Sequence, residues 1–389
     1  MSNKVRIAIF LGLIPLWTLA QSIRITHGPY LQAVGENEVT LVWTTDGDAV
    51  SWVELAPAGD DSFYAEERPA CYQTKDGNRV VGKLHKVTIP GLAKGTEYRY
   101  RVFSKAVLHY EGQNDVLYGH VASTGVNRKK PLRFRTLDTG RTDIAFTVVN
   151  DIHGRIDDLR ALTRNALYGN QDLVIFNGDM VDVMEEETAF FAGFMDEAVN
   201  LFASEVPVLY ARGNHETRGK FSTSFSSYFP TATGKTYSSF RQGPVHFIIL
   251  DSGEDKPDSD IEYSGLSQFD AYRSEQREWL KKELQSESFR TAKYRLVIVH
   301  IPPVDSNWHG TLDVREKFLP GLNSAGITAM FCGHTHRYHY LEPGPLHDFP
   351  ILVNAPNTAL EVKADAAGMT VRRIDLDGKE LNRFHYPAK

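Results

Sequence analysis

Five runs of β-forming residues, IAFTVV at 144–149, DLVIF at 172–176, VPVLYA at 206–211, YRLVIV at 294–299 and ITAMF at 327–331, are apolar almost without interruption. None alternates apolar with polar positions, which is the pattern of strands buried on both faces. Between them, 157–168, 185–202 and 274–284 have helical composition, and in the last of these Trp279, Leu280 and Leu284 fall on neighbouring helical positions. Strands alternating with helices predict an α/β unit over 143–389. The polar, Gly- and Ser-containing stretch 251–272 reads as a surface loop, and 369–385 as two more strands around Asp377-Gly378.

The pattern differs upstream. VTLVWTT, SWVEL, HKVTI, EYRYRVF and RFRTL are short β-rich runs, separated by turn signals at Asp46-Gly47-Asp48 and Asp76-Gly77-Asn78. In the fourth run Tyr98, Tyr100 and Val102 alternate with Arg99 and Arg101. That apolar-in, polar-out alternation predicts an all-β sandwich over 21–138, with 105–130 as an elaborated hairpin or a loop reaching toward its neighbour. Residues 138–142 read as the linker. At the very start Lys4 and Arg6 precede the apolar run 7–19 and the small-residue exit Thr18-Leu19-Ala20, so residues 1–20 are expected to be a secretory signal peptide and the protein to be exported, periplasmic or secreted. That run is too short to serve as a transmembrane segment.

Composition narrows the function classes. Of 389 residues, 42% are hydrophobic and 24% charged, ordinary for a folded soluble chain. The net charge of −6 lacks the basic footprint of a nucleic-acid binder. Cys71 and Cys332 fall in different expected units, and Cys332 reads as a small buried residue at a strand end.

The chemistry lies just past the five buried runs: Asp151-Ile-His153, Gly178-Asp179, Gly213-Asn214-His215-Glu216, His300 and Gly333-His334-Thr335-His336. Open α/β sheets bind ligands outside the carboxyl ends of their strands, so these segments can converge on one crevice. In an extended strand Asp151 and His153 would project to one face. Order and spacing resemble the calcineurin-like metallophosphoesterase superfamily, which includes the purple acid phosphatases, and the upstream sandwich, with Gly28-Pro29-Tyr30-Leu31, resembles the fibronectin III-like domain that precedes the catalytic domain in the purple enzymes.

The resemblance implies an α/β/β/α sandwich holding two metal ions. The first would be held by Asp151, His153, Asp179 and His336, the second by Asp179, Asn214, His300 and His334. A carboxylate can share two oxygens between ions about 3.5–4 Å apart, which suits Asp179 to the bridge. The implied activity is hydrolysis of phosphate mono- or diesters by metal-bound hydroxide, with His215 as proton donor and Asp182 as its dyad partner. His309 and Arg212 are candidate substrate contacts, as is Arg218, which with Arg212 flanks the Gly-Asn-His-Glu segment. Purple enzymes carry Gly where this chain has His153 and Tyr where it has Asp182, so the resemblance implies a site without the tyrosinate that binds ferric iron. Iron, manganese and zinc all suit the donor set. The competing reading, a non-catalytic surface- or glycan-binding protein with a relic domain, would be expected to have lost ligands, and all seven positions are present.

Overall fold

A computed structural model describes residues 22–112, 114–126, 130–164 and 171–388. The expected signal peptide, 1–20, lies outside the described residues. Two six-stranded sheets form the centre. One orders its strands Val208–Ala211, Leu173–Asn177, Ile144–Val149, Thr358–Ala364, Gly368–Asp375 and Glu380–Pro387. The other orders Ser238–Gln242, Val245–Ile249, Tyr294–Ile298, Ala329–Cys332, Ile351–Val353 and His339–Leu341. The strands that precede the candidate ligands run parallel within each sheet.

The uninterrupted apolar runs now have a cause. Phe146, Val148, Ile175, Leu296, Ile298 and Phe331 point into a core between the two sheets. Their neighbours point the other way: Val149, Val174 and Phe176 pack on the helical segments 156–162 and 187–203, and Val297, Val299 and Met330 on helices Phe269–Glu283 and His309–Leu322. Each strand thus has apolar partners on both faces, in a helix, sheet, sheet, helix stack. Full burial of one such side chain contributes about 1.5–3 kcal/mol.

Helix boundaries depart from the sequence pattern at two places. The helix expected at 274 begins at Phe269, because the Asp258 carboxylate accepts from the Phe269 and Asp270 amides and caps it from eleven residues upstream. Helix His309–Leu322 has no counterpart in the sequence reading, since Gly310 and Pro320 lower its helical signal.

The N-terminal all-β unit is built on a hydrogen-bonded sheet of seven strands that folds over on itself, beside a short two-stranded ribbon of Thr74–Lys75 and Asn78–Arg79. Leu41 and Trp43, from the first half of strand Glu38–Pro57, share a core with Val53 from its second half and with Tyr100, Val102 and Phe134. Asp46-Gly47-Asp48 does not end that strand; the triplet is absorbed as a register shift against Val81–Pro90, with both carboxylates facing solvent. The stretch after Lys105 takes the hairpin form, Glu97–Glu111 with Asp115–Ser123. The Gly91–Tyr98 corner is closed by the Ala93 amide, which donates to the Tyr98 hydroxyl.

This unit is fused to the central sheets. Tyr30 and Val42 belong to the same core as Phe191, Tyr210 and Phe229. His27 stacks on Phe191 at 4.0 Å and bonds Asp196 at 2.8 Å, Gln32 donates to the Val208 carbonyl, and the Tyr100 hydroxyl donates to the Ser204 carbonyl. Cys71 and Cys332 are both free, and no described helix is long and apolar enough to cross a membrane.

Candidate metal centre

The ligand segments are turns, and their backbone is unusual. Asp151, His153, Asp179, His334 and His336 all take positive φ, between 48° and 69°. Asp151 and His153 therefore do not share a face through strand periodicity, as expected from the sequence; they are brought round by a left-handed turn just past the strand end. Such conformations cost about 1–3 kcal/mol each and persist only where surrounding contacts impose them. Here the turns brace one another: the Asp151 amide donates to the Gly178 carbonyl, His153 to Asp179, Gly154 to Met180 and Gly333 to His300. Two glycines let the segments close up. A Cβ on Gly178 would sit 2.3 Å from His300 Nδ1, and one on Gly213 would sit 2.3 Å from Asp179 Oδ1.

The result brings the sequence-predicted residues together in two groups. Asp151, His153, Asp179 and His336 form one, and Asp179, His300 and His334 the other, each with ligand atoms within 4.8 Å of one another. Asn214 joins the second group, its Oδ1 lying 3.0 Å from His334 Nδ1. His300 donates from Nδ1 to the Asn177 carbonyl at 2.7 Å, which leaves Nε2 facing Asp179 Oδ2 at 3.0 Å. In the first group His153 Nε2 and His336 Nε2 stand 3.3 Å apart, and His336 Nε2 is 3.2 Å from Asp151 Oδ1. Asp151 Oδ1 and His300 Nε2 are buried, and beyond these close approaches neither makes a well-aligned hydrogen bond. Converging nitrogen and oxygen donors, two of them buried without a well-aligned hydrogen bond, fit divalent cations.

The electrostatics follow from that crowding. Burial disfavours the Asp179 carboxylate, but His300 and His215 outweigh it and hold its pKa well below the usual range. Burial likewise disfavours a charged His300, yet Asp179 and Asp151 raise its pKa to about 10. Burial and the neighbouring His300 lower His334 to about 4. His336 is shifted upward, chiefly by its bond to Asp151.

The expected carboxylate dyad is not made. Asp182 Oδ1 bonds His153 Nδ1 at 2.8 Å, while His215 Nδ1 bonds the backbone carbonyl of Asp182 at 2.7 Å. Both residues that differ from the purple pattern, His153 and Asp182, thus contact each other. The aspartate holds the His153 ring with Nε2 turned to the centre, as a carboxylate does behind a histidine that is to bind a metal. His215 presents its own Nε2 3.9 Å from Asp179.

The softer candidates sit at different distances from this chemistry. His309 bonds Asp270 at 2.7 Å, beside Asp313; Arg273 and Lys317 already pair with those carboxylates, and the structure does not bring His309 to the metal ligands. Arg212 is tied to Asp251 at 2.8 Å and only lines the neighbouring cavity. Arg218 lies closer, with Nη1 3.3 Å from His215 Nε2 and its other nitrogens on Glu254. The cavity, about 920 Å³, opens beside it and is lined in part by Lys220, Tyr263, Phe269 and Tyr272.

Glu216 was given no role from sequence. It is fully buried, and its carboxylate accepts from the amides of Asp179, Met180 and Gly213 and from the Tyr210 hydroxyl. It therefore fixes the turn that carries Asp179. Its position directly after His215 was the available signal. Asn150, whose Nδ2 donates to Asp151 Oδ2 at 2.5 Å, plays the same part for Asp151.

Comparison with known proteins places this geometry. A profile of the calcineurin-like phosphoesterase family matches residues 144–338. The chain is 28% identical over 141 residues to the serine/threonine-protein phosphatase CPPED1 of Bos taurus, covering 34% of this chain and 42% of that protein, so it spans under half the length of that relative. It is 22% identical over 342 residues to purple acid phosphatase 23 of Arabidopsis thaliana, covering 76% of this chain and 70% of that protein. Among solved structures, the purple acid phosphatase PPD1 from yellow lupin (Lupinus luteus) seeds superposes with a TM-score of 0.65 at 15% identity, covering 92% of this chain and 74% of that one.

Proposed function

Because the chain belongs to the calcineurin-like phosphoesterase family, we propose that it is a metal-dependent phosphoric ester hydrolase acting on phosphate mono- or diesters at the convergence of Asp151, His153, Asp179, Asn214, His300, His334 and His336. The observation that carries this reading is the crowding of buried donor atoms, Asp151 Oδ1 and His300 Nε2 among them, into two groups that share Asp179. Two ions bound there would supply charge to polarise the phosphoryl oxygens and to activate water.

The protein's own groups do the rest. Asp179, between the donor groups, is suited to bridge the ions. Asp182 holds His153, and the Asn177 carbonyl holds His300, in the tautomers that free their Nε2 atoms. His215, fixed through Nδ1, has at Nε2 only the long 3.3 Å contact with Arg218 and is the proposed proton donor to the departing oxygen. No Tyr stands at position 182, so the loaded protein is expected to show no tyrosinate charge-transfer band. Export through residues 1–20 and a fibronectin III-like N-terminal domain over 21–138 belong to the same proposal; mature N-terminal sequencing tests the first.

Manganese-, iron- and zinc-loaded protein assayed on a panel of mono- and diesters tests the activity. Turnover that disappears on chelation and returns with metal is the expected outcome. Metal-independent turnover, or none on any ester with any metal, would refute it.

A further inference from the structure

Arg218 is held more firmly than its surface location requires. Its Nε and Nη2 bond the two oxygens of Glu254 at 2.7 and 3.0 Å, and the Glu254 side chain is only 2% exposed. Glu254 is itself fixed, accepting from the Thr217 hydroxyl at 3.0 Å and the Tyr263 hydroxyl at 3.1 Å, while its carbonyl accepts from Arg273 Nη2. This anchoring uses one edge of the guanidinium, while Nη1 on the other donates to His215 Nε2 at 3.3 Å, a long contact that a substrate oxygen entering between them can replace. Two nitrogens that converge on one spot beside the ligand cluster, one of them permanently charged, mark a place for an oxygen carrying negative charge.

The same arginine lines the large cavity. At about 920 Å³ it is far larger than a phosphate needs and lies at the upper end of sizes typical of small-molecule sites. Its walls combine the hydroxyls of Ser222, Thr223 and Thr236 with the rings of Tyr263, Phe269 and Tyr272. Such a lining suits an organic group with both hydrogen-bonding and flat apolar surfaces.

We propose that Arg218 is a catalytic residue that donates from Nη1 to the oxygen of the departing alcohol, and that this cavity takes the rest of that alcohol, making the substrate a phosphate ester of a bulky polar alcohol. The inference rests on the phosphoesterase reading. In the step concerned, the oxygen of water forms a bond to phosphorus as the ester P–O bond breaks, and the bonding electron pair leaves on the alcohol oxygen. One proton of the water is balanced by the proton the alcohol gains, and the other remains with the phosphate product and solvent. Arg218 carries the charge on the leaving oxygen until that proton arrives.

The test is a series of phosphate esters whose leaving groups run from dinitrophenol to simple alcohols, hydrolysed by wild-type, Arg218→Lys and Arg218→Gln proteins of verified metal content and melting temperature. For poor leaving groups the Gln variant is expected to lose about 10²–10³ in kcat, the scale for removing one donor to a developing oxyanion. Dinitrophenyl esters should lose little. A uniform loss along the series, or no loss, would overturn the role of Arg218, whereas no turnover of any ester by metal-loaded wild type would overturn the phosphoesterase reading and this inference with it. Ala271→Trp, which fills the cavity from its wall, should raise KM for bulky esters and spare methyl phosphate. Equal effects on both would overturn the pocket assignment.

Discussion

The two halves of the ligand cluster are built differently although they share Asp179. In the second half His300 is completely buried, its tautomer set by a main-chain carbonyl, and Asn214 is 2% exposed. In the first half the His336 side chain is 52% exposed, and His153 is oriented by Asp182, a carboxylate that is itself 79% exposed. The difference teaches that one half is prepared mainly by the folded core, whereas the other, though it includes buried Asp151, depends on His336 and Asp182 at the rim. On the proposed function, an ion at the first-named, buried position would be tied to stability, and one on the His336 side mainly to local side-chain order.

Removing one histidine from each half exposes the contrast most strongly. His300→Ala leaves buried Asp179 without its nearest cationic partner, so the metal-free protein should lose about 3–5 kcal/mol, the scale for breaking a buried pair. His336→Ala, at the rim, should change stability by no more than about 0.5 kcal/mol while still weakening metal binding. Denaturant unfolding of both stripped proteins checks this, and equal losses would erase the distinction. A smaller effect is expected at Asp182. If it orients His153, Asp182→Asn should weaken ion binding by about 10–100-fold at the first position. If it acted instead with His215, kcat would fall with ion affinity unchanged; calorimetric titration beside steady-state kinetics separates the two.

The mildest expected effect is on pH dependence. In the metal-free protein His300 titrates near 10, above the ordinary 6.5, so its stabilising contribution is complete below about 6.5 and is lost as pH rises toward 10. Melting temperature of the stripped protein should therefore fall from pH 7 to 10, and this alkaline limb should flatten in His300→Ala. A displaced proton on His300 also means that ion affinity rises with pH over the same window.

Much of this was legible in the sequence for a physical reason. Strands apolar on both faces announce a buried sheet, and polar residues just past their ends have nowhere to converge but the edge; that argument holds for Asp151, Asp179, Asn214, His300 and His334. What escaped depends on direction rather than identity. Asp182 lies 29 residues from His153 and 33 from His215, and nothing local decides which ring its carboxylate reaches. The left-handed turns at Asp151 and His153 escaped because Asp and His tolerate positive φ without advertising it as glycine does. The early start of helix Phe269–Glu283 depends on a distant cap, and the fusion of the N-terminal unit depends on Tyr30 and Val42, on the face opposite Leu31, Leu41 and Trp43, meeting a core that belongs to the central sheets.

The central claim, that a single crevice holds two ions that act together on a phosphate ester, is tested most directly by titrating metal-stripped protein with manganese or zinc while following ester hydrolysis. The account predicts almost no turnover before addition and a rise that levels off at two ions per chain. Full activity at one ion per chain, or undiminished activity in the stripped protein, would contradict it.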